Sequence, residues 1–271
     1  MRAKLSLEEF KSVSLEILKG VHNYCKKNDI RYTLAAGTLI GAIRHKGFIP
    51  WDDDIDIYMP RPDYEKFLKS FNDEYENLKV VAPEIDANYY VPYANVYDTR
   101  TLLVEDNISH RGIEIGVKID IFPVDGVSDD IDDYNMQKKR IDWINRIMSA
   151  KRYGLGYYFP RSILMTIGVM LTRVLYCLVP YKNLQNKLRK EAIQYDFDHS
   201  KYVAHLVYSS GFDTRHKKSV YDSFIEVPFE NYNFMIASGY DEILTTIYGD
   251  YMQLPPIEKR VTHHRFNAWW K

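Results

Sequence analysis

The sequence predicts a mixed α/β fold, an α+β arrangement in which helices flank a mixed sheet. Two stretches, residues 54–59 and 112–127, alternate apolar and polar side chains with the period of a strand that has one buried face. Helical patterns cover residues 7–27, 61–71 and 131–150, with apolar side chains recurring on one side. This alternation of strands and helices is typical of the class.

The composition limits the class of protein further. The chain has 271 residues, 46% of them hydrophobic, which suffices for a buried core in one domain with helical additions or in two closely packed lobes. A formal net charge of −1 argues against a general nucleic-acid-binding surface. Cys25 and Cys177 lack metal or redox spacing, so we interpret both as small core residues in a reducing cytoplasm. The N-terminus has no apolar signal-peptide core.

Local patterns predict the individual elements. Ser6 and Glu9 form a capping box at the start of the first helix. Arg61-Pro62 starts the second helix with proline in its first turn. Further strands are predicted at residues 78–82, 89–97, 101–105 and 203–208, a hairpin at 227–236, and helices at 183–196 and at 240–248, the last ended by Gly249.

The acidic segment Trp51-Asp-Asp-Asp-Ile-Asp-Ile57 is the first candidate site. On a strand, Asp54 and Asp56 point to the same side, about 7 Å apart along the chain. Two such oxygen ligands suit a divalent cation such as Mg²⁺. Asp52 and Asp53 either support the metal site or only shape the turn. The alternative for the whole segment is a solvated acidic turn without chemistry.

A glycine turn precedes the acidic strand. Gly37-Thr38 follows an apolar run over residues 32–36, and a helix is predicted from Leu39 to Arg44. A strand, a tight turn and a helix start together present backbone N–H groups to a phosphate. Thr38 either caps this helix or binds a phosphate oxygen. The next residues, Arg44-His45-Lys46, form a solvated basic corner or hold a diphosphate.

The strand predicted at residues 112–127 has an apolar face of five β-branched side chains and an opposite face that carries Glu114, Lys118 and Asp120. Asp120 is the candidate for a third carboxylate, because two-metal phosphoryl transfer commonly uses three acids. The alternative is that these charges form salt bridges along an exposed face. Pro123 and Asp125-Gly126 predict a turn that closes the strand.

Two long blocks carry a resemblance to a known family. GTLIGAIRHKGFIPWDDDIDIYMPRPDYEKF, from Gly37 to Phe67, and YGDYMQLPPIEKRVTHH, from Tyr248 to His264, resemble the signature of the LicD family. This family comprises phosphocholine-type transferases of the nucleotidyltransferase superfamily and is related to the fukutin group. The resemblance implies a nucleotidyltransferase-like core with additional helices, although the gap from Gly37 to Asp54 is slightly longer than is usual in that superfamily.

The resemblance also implies a reaction. It is the metal-dependent transfer of phosphocholine, or a related phospho-alcohol, from CDP-choline or another CDP-alcohol to a hydroxyl of a cell-surface glycan or lipid-linked teichoic-acid precursor, with release of CMP. Asp54, Asp56 and Asp120 are then the catalytic residues and the ligands of Mg²⁺, or of Mn²⁺. The substrate-binding residues are expected to be Gly37, Thr38, Arg44, His45, Lys46, Asp53, Lys118, Lys259, Arg260 and His264.

A choline group also requires aromatic side chains around its quaternary ammonium, and the 4 Trp, 23 Tyr and 12 Phe of the chain do not by themselves locate them. Two other functions stay open at this point. One is a nucleotidyltransferase that moves NMP from an NTP, and the other is a non-catalytic, membrane-docked scaffold with the same fold.

We predict that residues 1–271 form a single LicD-like catalytic domain, with a core at 28–127, a helical insertion at 128–200 that faces membrane or acceptor, and a C-terminal part at 201–271 that completes the site. Residues 162–181 are apolar except for the central Arg173. They form a helix buried in the protein, an interfacial membrane helix or a partner-docking helix. Peripheral membrane contact is therefore assigned to residues 150–181, and the resemblance implies the cytoplasmic face of a bacterial membrane. No nucleic-acid partner is expected.

Overall fold

The computed structural model describes residues 3–106, 108, 112–154, 162–208, 213–261 and 266–271. Its helices are α1 Leu7–Lys27, α2 Ala36–Ile40, which continues in a π-helical turn Gly41–His45, α3 Arg61–Ser70, α4 Ile131–Arg152, α5 Ile163–Leu175, α6 Tyr181–Ala192 and α7 Tyr240–Tyr248. Short 3₁₀ turns lie at Phe71–Asp73, Lys218–Tyr221 and Ile257–Lys259.

The strands form one central sheet, the hairpin β9–β10 and a separate pair of β5 with β11. They are β1 Thr33–Leu34, β2 Asp56–Pro60, β3 Leu78–Val81, β4 Ala94–Asp98, β5 Thr101–Glu105, β6 Lys118–Val127, β7 Tyr202–Ala204, β8 His216–Lys217, β9 Phe224–Phe229, β10 Tyr232–Ala237 and β11 Phe266–Trp270. The central sheet has the order β1-β2-β6-β4-β3, and β7 and β8 extend it from the far end of β6. Strands β2 and β6 run parallel, whereas their other neighbours are antiparallel. The predicted α+β fold with a mixed sheet is therefore confirmed.

The start of helix α1 is determined by a local capping interaction. The side chain of Ser6 accepts the backbone N–H of Glu9, and the side chain of Glu9 accepts the backbone N–H of Ser6. Both halves of the predicted capping box are thus present. The apolar side of α1, with Phe10, Ile17 and Val21, is buried in the core.

The prediction for the second strand is wrong at both ends. Residues 112–117 lie outside the strand, and β6 runs on to Val127 instead of turning at Pro123. Pro123 lies opposite Met59 in the parallel ladder, and Gly126 lies opposite Val203 of β7. Asp125 keeps its place in the strand because Arg61 binds its carboxylate through two hydrogen bonds of 2.6 and 2.9 Å. Two-sided pairing and a buried ion pair outweigh the turn preferences of these residues.

Other element predictions differ in extent. Strand β4 begins only at Ala94, and the strand predicted at residues 203–208 is limited to β7. The hairpin β9–β10 and helix α7 are confirmed, and α7 ends at Gly249, whose φ of 66° suits glycine. Cys25 is buried as predicted, but the prediction of a core position for Cys177 is wrong, because it is exposed.

Helix α5 is not buried, so the first of the three interpretations of residues 162–181 is wrong. Leu164 is 79% exposed, Val174 71% and the following Leu178 91%. Arg173 points inward and donates to the backbone carbonyls of Ala150 and Tyr153 at the end of α4, which explains the one charge in the apolar run. Among the described residues, no helix combines the length and the apolar character that crossing a membrane requires.

Candidate functional site

The candidate site is built on one row of polar side chains across three neighbouring strands. Asp56 of β2 lies directly opposite Asp120 of β6, and Asp120 lies directly opposite Asn95 of β4. Residues at paired positions point to the same face of a sheet, so the three side chains line up. The backbone N–H of Asp120 donates to the carbonyl of Ile55, 2.9 Å away, which extends the pairing to the acidic segment. The structure thus brings together the predicted carboxylates of β2 and β6.

The segment before β2 adds further carboxylates. Asp52, Asp53 and Asp54 each offer one carboxylate oxygen, and these atoms lie within 4.8 Å of one another. Asp53 is buried, whereas Asp52 and Asp54 are half-buried. Such a set of hard oxygen donors fits Mg²⁺ or Mn²⁺. The predicted ligand set of Asp54, Asp56 and Asp120 stays a prediction, since the described carboxylates whose oxygens lie this close together are those of Asp52, Asp53 and Asp54.

The electrostatics of this group favour a bound cation. Burial raises the pKa of Asp56 well above its usual range, and the charges of Asp54 and Asp120 raise it further. Burial also raises the pKa of Asp120, although Lys118 acts in the opposite direction. Close carboxylates that repel one another in a partly buried site are stabilised by a divalent ion.

Gly37 was predicted to form a tight turn before a helix, but in the structure it lies within the helix and makes room for a neighbouring carboxylate. It lies in the first turn of α2, and a Cβ atom at this position would overlap a carboxylate oxygen of Asp52. Only glycine lets Asp52 approach the helix so closely. The preceding Ala36 has a φ of 46°, a left-handed conformation that non-glycine residues seldom adopt and that occurs often at functional sites.

Thr38 does not cap the helix. The residue before α2 is Ala35, and the cap has no side-chain hydrogen bond. The Thr38 hydroxyl instead accepts the backbone N–H of Asp56, 2.9 Å away. It therefore ties α2 to the first residue of β2.

Asp120 is held by Lys118, as the salt-bridge interpretation of this strand expected, and by Asn95, which sequence reasoning missed. Its Oδ1 accepts the side-chain amide of Asn95 at 2.5 Å and the ammonium of Lys118 at 2.7 Å. The hydroxyl of Tyr89 donates to the other end of the Asn95 amide. Both Tyr89 and Asn95 are fully buried, so this chain of hydrogen bonds fixes one orientation of the Asp120 carboxylate. The role of Asn95 follows from its position opposite Asp120, and this position is known only once the register of β4 against β6 is known.

Lys118 was predicted to bind substrate, and in the structure its ammonium is already engaged. Burial alone would lower its pKa, but the charges of Asp120 and Glu105 raise it above its ordinary value. Lys118 is therefore a cation that balances part of the acidic charge from within the site.

Two basic segments that are far apart in sequence meet beside the acids. The guanidinium of Arg260 lies over the ring of Trp51, 5.4 Å from its centroid, and the imidazole of His45 meets the same ring edge-on. Arg44 donates to the backbone carbonyls of Tyr251 and Gln253 at 2.5 and 3.1 Å. Burial and the nearby charge of Arg260 lower the pKa of Arg44. Two neighbouring guanidinium groups are the kind of donors that can bind an anion such as a diphosphate.

The remaining predicted binding residues do not join this group. Lys46 and Lys259 have exposed side chains, and the backbone carbonyl of Lys46 accepts the N–H of Glu230 at the tip of the β9–β10 hairpin. His264 lies outside the described residues. By contrast, Tyr248 of α7 was not predicted. Burial raises the pKa of its hydroxyl, and the negative charges of Asp56 and Asp52 raise it further. Its position at the start of the second family-like block was the available signal.

A second row, of aromatic side chains, lies next to the polar row on the same face. Tyr58 and Phe122 are two residues from Asp56 and Asp120 along β2 and β6 and pair with each other, and Tyr93 directly precedes β4, two residues before Asn95. The ring of Phe122 lies 6.1 Å from that of Tyr58 and 4.3 Å from that of Tyr93. The sheet therefore presents carboxylates and aromatic rings side by side.

Comparisons with known proteins identify relatives of the chain. A family model for the LicD/FKTN/FKRP nucleotidyltransferase domain matches residues 29–171. The chain is 35% identical over 272 aligned positions to the lipopolysaccharide cholinephosphotransferase LicD of Haemophilus influenzae, covering 98% of each chain. It is also 37% identical to an uncharacterised protein of Rickettsia prowazekii over 89 residues, which cover 32% of this chain and 30% of that protein. The protein described here therefore belongs to the LicD/FKTN/FKRP family.

Proposed function

We propose that this protein transfers phosphocholine, or a related phospho-alcohol, from a CDP-linked donor to a hydroxyl of a cell-surface glycan or teichoic-acid precursor and releases CMP. The observation that carries the proposal is the similarity, over nearly the full length of both chains, to a lipopolysaccharide cholinephosphotransferase. The paired carboxylates and the adjacent arginines support it, because they are the groups that phosphoryl transfer requires.

Asp54, Asp56 and Asp120 would hold Mg²⁺ or Mn²⁺, with Asp52 and Asp53 close enough to assist. When bound, the metal would neutralise negative charge on the transferred phosphate and on the departing CMP. Arg44 and Arg260 would bind the diphosphate of the donor, and Thr38 would donate its hydroxyl proton to a phosphate oxygen.

Asp120 would receive the proton of the acceptor hydroxyl. Asn95 and Lys118 hold one of its oxygens, so the carboxylate cannot rotate away from the reacting atoms. The acceptor oxygen forms a bond to the phosphorus of phosphocholine while the bond from that phosphorus to the bridging oxygen of CMP breaks. The hydroxyl proton passes to Asp120, and the electron pair of the broken bond leaves with CMP.

The aromatic row would recognise the choline group. Quaternary ammonium ions bind to the faces of tyrosine and phenylalanine rings. Tyr58 lies two residues from Asp56 on the same face of β2, so its ring lies within the length of a phosphocholine from the carboxylates.

Helix α5 would dock the protein on the cytoplasmic face of a bacterial membrane, where a lipid-linked acceptor is found. Its outer surface is apolar along the whole helix, and the exposed residues Lys182 and Lys187 follow on α6. An apolar surface flanked by lysines fits an anionic lipid interface.

Product analysis tests the proposed reaction. Purified protein is incubated with Mg²⁺, CDP-choline and a glycolipid precursor extract, and CMP is measured. We expect CMP release that depends on both the metal and the acceptor. Release of CMP with another CDP-alcohol would change the transferred group only. Pyrophosphate release from an NTP, with no reaction of any CDP-alcohol in the presence of a competent acceptor, would instead establish the nucleotidyltransferase reaction.

A further inference from the structure

Arg152 is a buried cation that the proposed reaction does not use. It is the last residue of α4 and is only 6% exposed. One of its terminal nitrogens donates to the hydroxyl of Tyr153 at 2.9 Å, and the other makes a long contact of 3.4 Å to the backbone carbonyl of Tyr90. Its Nε is buried and has no hydrogen-bond partner. No carboxylate among the described residues forms an ion pair with it, and all 37 Asp and Glu of the chain are among these residues.

Arg61 shows how this fold satisfies a guanidinium at similar depth. Arg61 is 8% exposed, and two of its nitrogens donate to the two oxygens of Asp125. Its remaining nitrogen, like Nε of Arg152, has no hydrogen-bond partner, but it lies 3.6 Å from a carboxylate oxygen of Glu84, so Arg61 differs from Arg152 by its counter-charges. Burying a charge is very unfavourable unless it is paired, so Arg61 has the expected environment and Arg152 does not. The ring of Tyr153, 4.6 Å from the Arg152 guanidinium, stabilises the cation but supplies no counter-charge.

The location of Arg152 connects it with the candidate site. The backbone carbonyl of Tyr90, which Arg152 contacts, belongs to the segment that leads into β4 and Asn95. Tyr93 of the same segment is affected by both Asp120 and Arg152. Burial raises the pKa of its hydroxyl, the charge of Asp120 raises it further, and the charge of Arg152 lowers it. Arg152 therefore lies against the segment that leads into β4, on the β4 side of Asp120.

The other anion-binding surface flanks the opposite side. Arg44 lies between β1 and β2, and Arg260 covers Trp51, which precedes β2. Strand β6 with Asp120 runs between β2 and β4. The carboxylates consequently have Arg44 and Arg260 on the β2 side and Arg152 on the β4 side.

We infer that Arg152 is the cation of a second phosphate subsite, which binds a phosphate group of a substrate on the Asp120 side of the candidate site. A bound phosphate supplies the missing acceptor for Nε and the missing counter-charge in a single group. The inference rests on the proposed function only for the source of the phosphate, since binding is measurable without turnover.

Melting temperatures of two variants test whether Arg152 stabilises the ligand-free protein. In ligand-free protein, Arg152→Met removes an uncompensated buried charge, so the melting temperature is expected to stay equal or rise. The matched Arg61→Met variant leaves Asp125 buried without its partner, and its melting temperature is expected to fall. A fall for Arg152→Met as large as that for Arg61→Met would show that Arg152 is a structural residue and would overturn the inference.

A binding measurement tests the ligand class. Because Arg44 and Arg260 also attract anions, inorganic phosphate is titrated by calorimetry into the full chain carrying Arg44→Gln and Arg260→Gln, without divalent metal. Adding Arg152→Met is expected to weaken phosphate binding by about 10- to 100-fold, the effect of one charge-assisted hydrogen bond. Arg146→Gln, a change of an exposed arginine on the same helix, is expected to leave binding unchanged. Equal affinity with and without Arg152→Met would overturn the inference.

A competition arm in the protein with Arg44 and Arg260 intact identifies the source of the phosphate. If saturating CDP-choline abolishes the Arg152-dependent part of phosphate binding, the subsite belongs to the donor. If phosphate still binds, the subsite belongs to the acceptor. Either result supports a second phosphate subsite.

Discussion

Asp56 and Asp120 lie directly opposite each other on the parallel strands β2 and β6. A parallel pair requires a long crossover connection, so the chain between these residues forms α3 and strands β3 to β5 before it returns. Two carboxylates that are far apart in sequence are thereby fixed on adjacent strands of the central sheet. This placement gives the site rigidity that a loop would not provide.

The amide of Asn95 should control the reactivity of Asp120 through its orientation. We expect Asn95→Ala to lower kcat by about 10- to 100-fold, as for other residues that orient site carboxylates, with little change in the KM for the donor. Steady-state kinetics of CMP release measures both constants. Asn72→Ala is the control, because the side chain of Asn72 hydrogen-bonds the backbone of Val80 on the outer strand β3. An unchanged kcat in Asn95→Ala would refute the positioning role.

Arg260 should contribute to donor binding. Replacing it by Gln removes one of two adjacent guanidinium groups, so the KM for CDP-choline is expected to rise by roughly tenfold or more. Arg140→Gln, which removes a surface ion pair with Glu191 on the helical side of the protein, serves as the control. A KM that rises equally in both variants, or in neither, would contradict donor binding at Arg260.

Two buried histidines should make the fold sensitive to acid. Burial lowers the pKa of His205 to about 3 and that of His216 to about 4. The unfolded chain takes up these protons near pH 6.5, so the stabilising contribution is complete above that pH and is lost as the pH falls toward the folded values. For His216 the loss amounts to roughly 3 kcal/mol.

His216→Gln should therefore flatten the decline of the free energy of unfolding between about pH 6.5 and pH 4. Urea titrations at a series of pH values measure this slope. His199→Gln, at an exposed histidine, is expected to leave the slope unchanged. Identical slopes for wild type and His216→Gln would show that His216 is not the group that titrates.

Helix α5 should carry the membrane contact. The double variant Leu171→Glu, Leu175→Glu places charges on its exposed apolar surface, and binding to vesicles rich in phosphatidylglycerol is expected to weaken by about 100-fold or more, given roughly 1.5–3 kcal/mol for each apolar side chain. Cosedimentation measures the binding. Ile131→Glu, a similar change at the exposed start of α4, is the control. Vesicle binding by the double variant at wild-type strength would contradict the contact, as would a concentration-dependent dimer that the same substitutions dissociate.

Sequence patterns were sufficient for elements whose signals are local. The capping box of α1, the β9–β10 hairpin and the glycine that ends α7 follow from neighbouring residues alone. The extent of β6 was not predictable in this way, because Pro123 and Gly126 have turn preferences that only the pairing with β2 and β7 overrides.

The candidate site divides in the same manner. Asp54 and Asp56 were recognisable because they alternate with isoleucines, and Asp120 because it does the same on a second strand. Asn95 and Tyr89 were not recognisable, since their importance depends on the register of β4 against β6. Arg152 was overlooked for a related reason: an arginine at the end of an amphipathic helix usually reaches solvent, and only its packing under Tyr153 shows that it is buried.

In the proposed function, the carboxylate row binds a divalent metal and catalyses phosphocholine transfer. The most direct measurement is CMP release from CDP-choline by wild type and by Asp56→Asn at several Mg²⁺ concentrations, together with the shift of the melting temperature caused by Mg²⁺. We expect the wild type to turn over and to be stabilised by Mg²⁺, and Asp56→Asn to lose both properties while remaining folded. Full activity of Asp56→Asn, or wild-type activity that persists in the presence of a metal chelator, would contradict the claim.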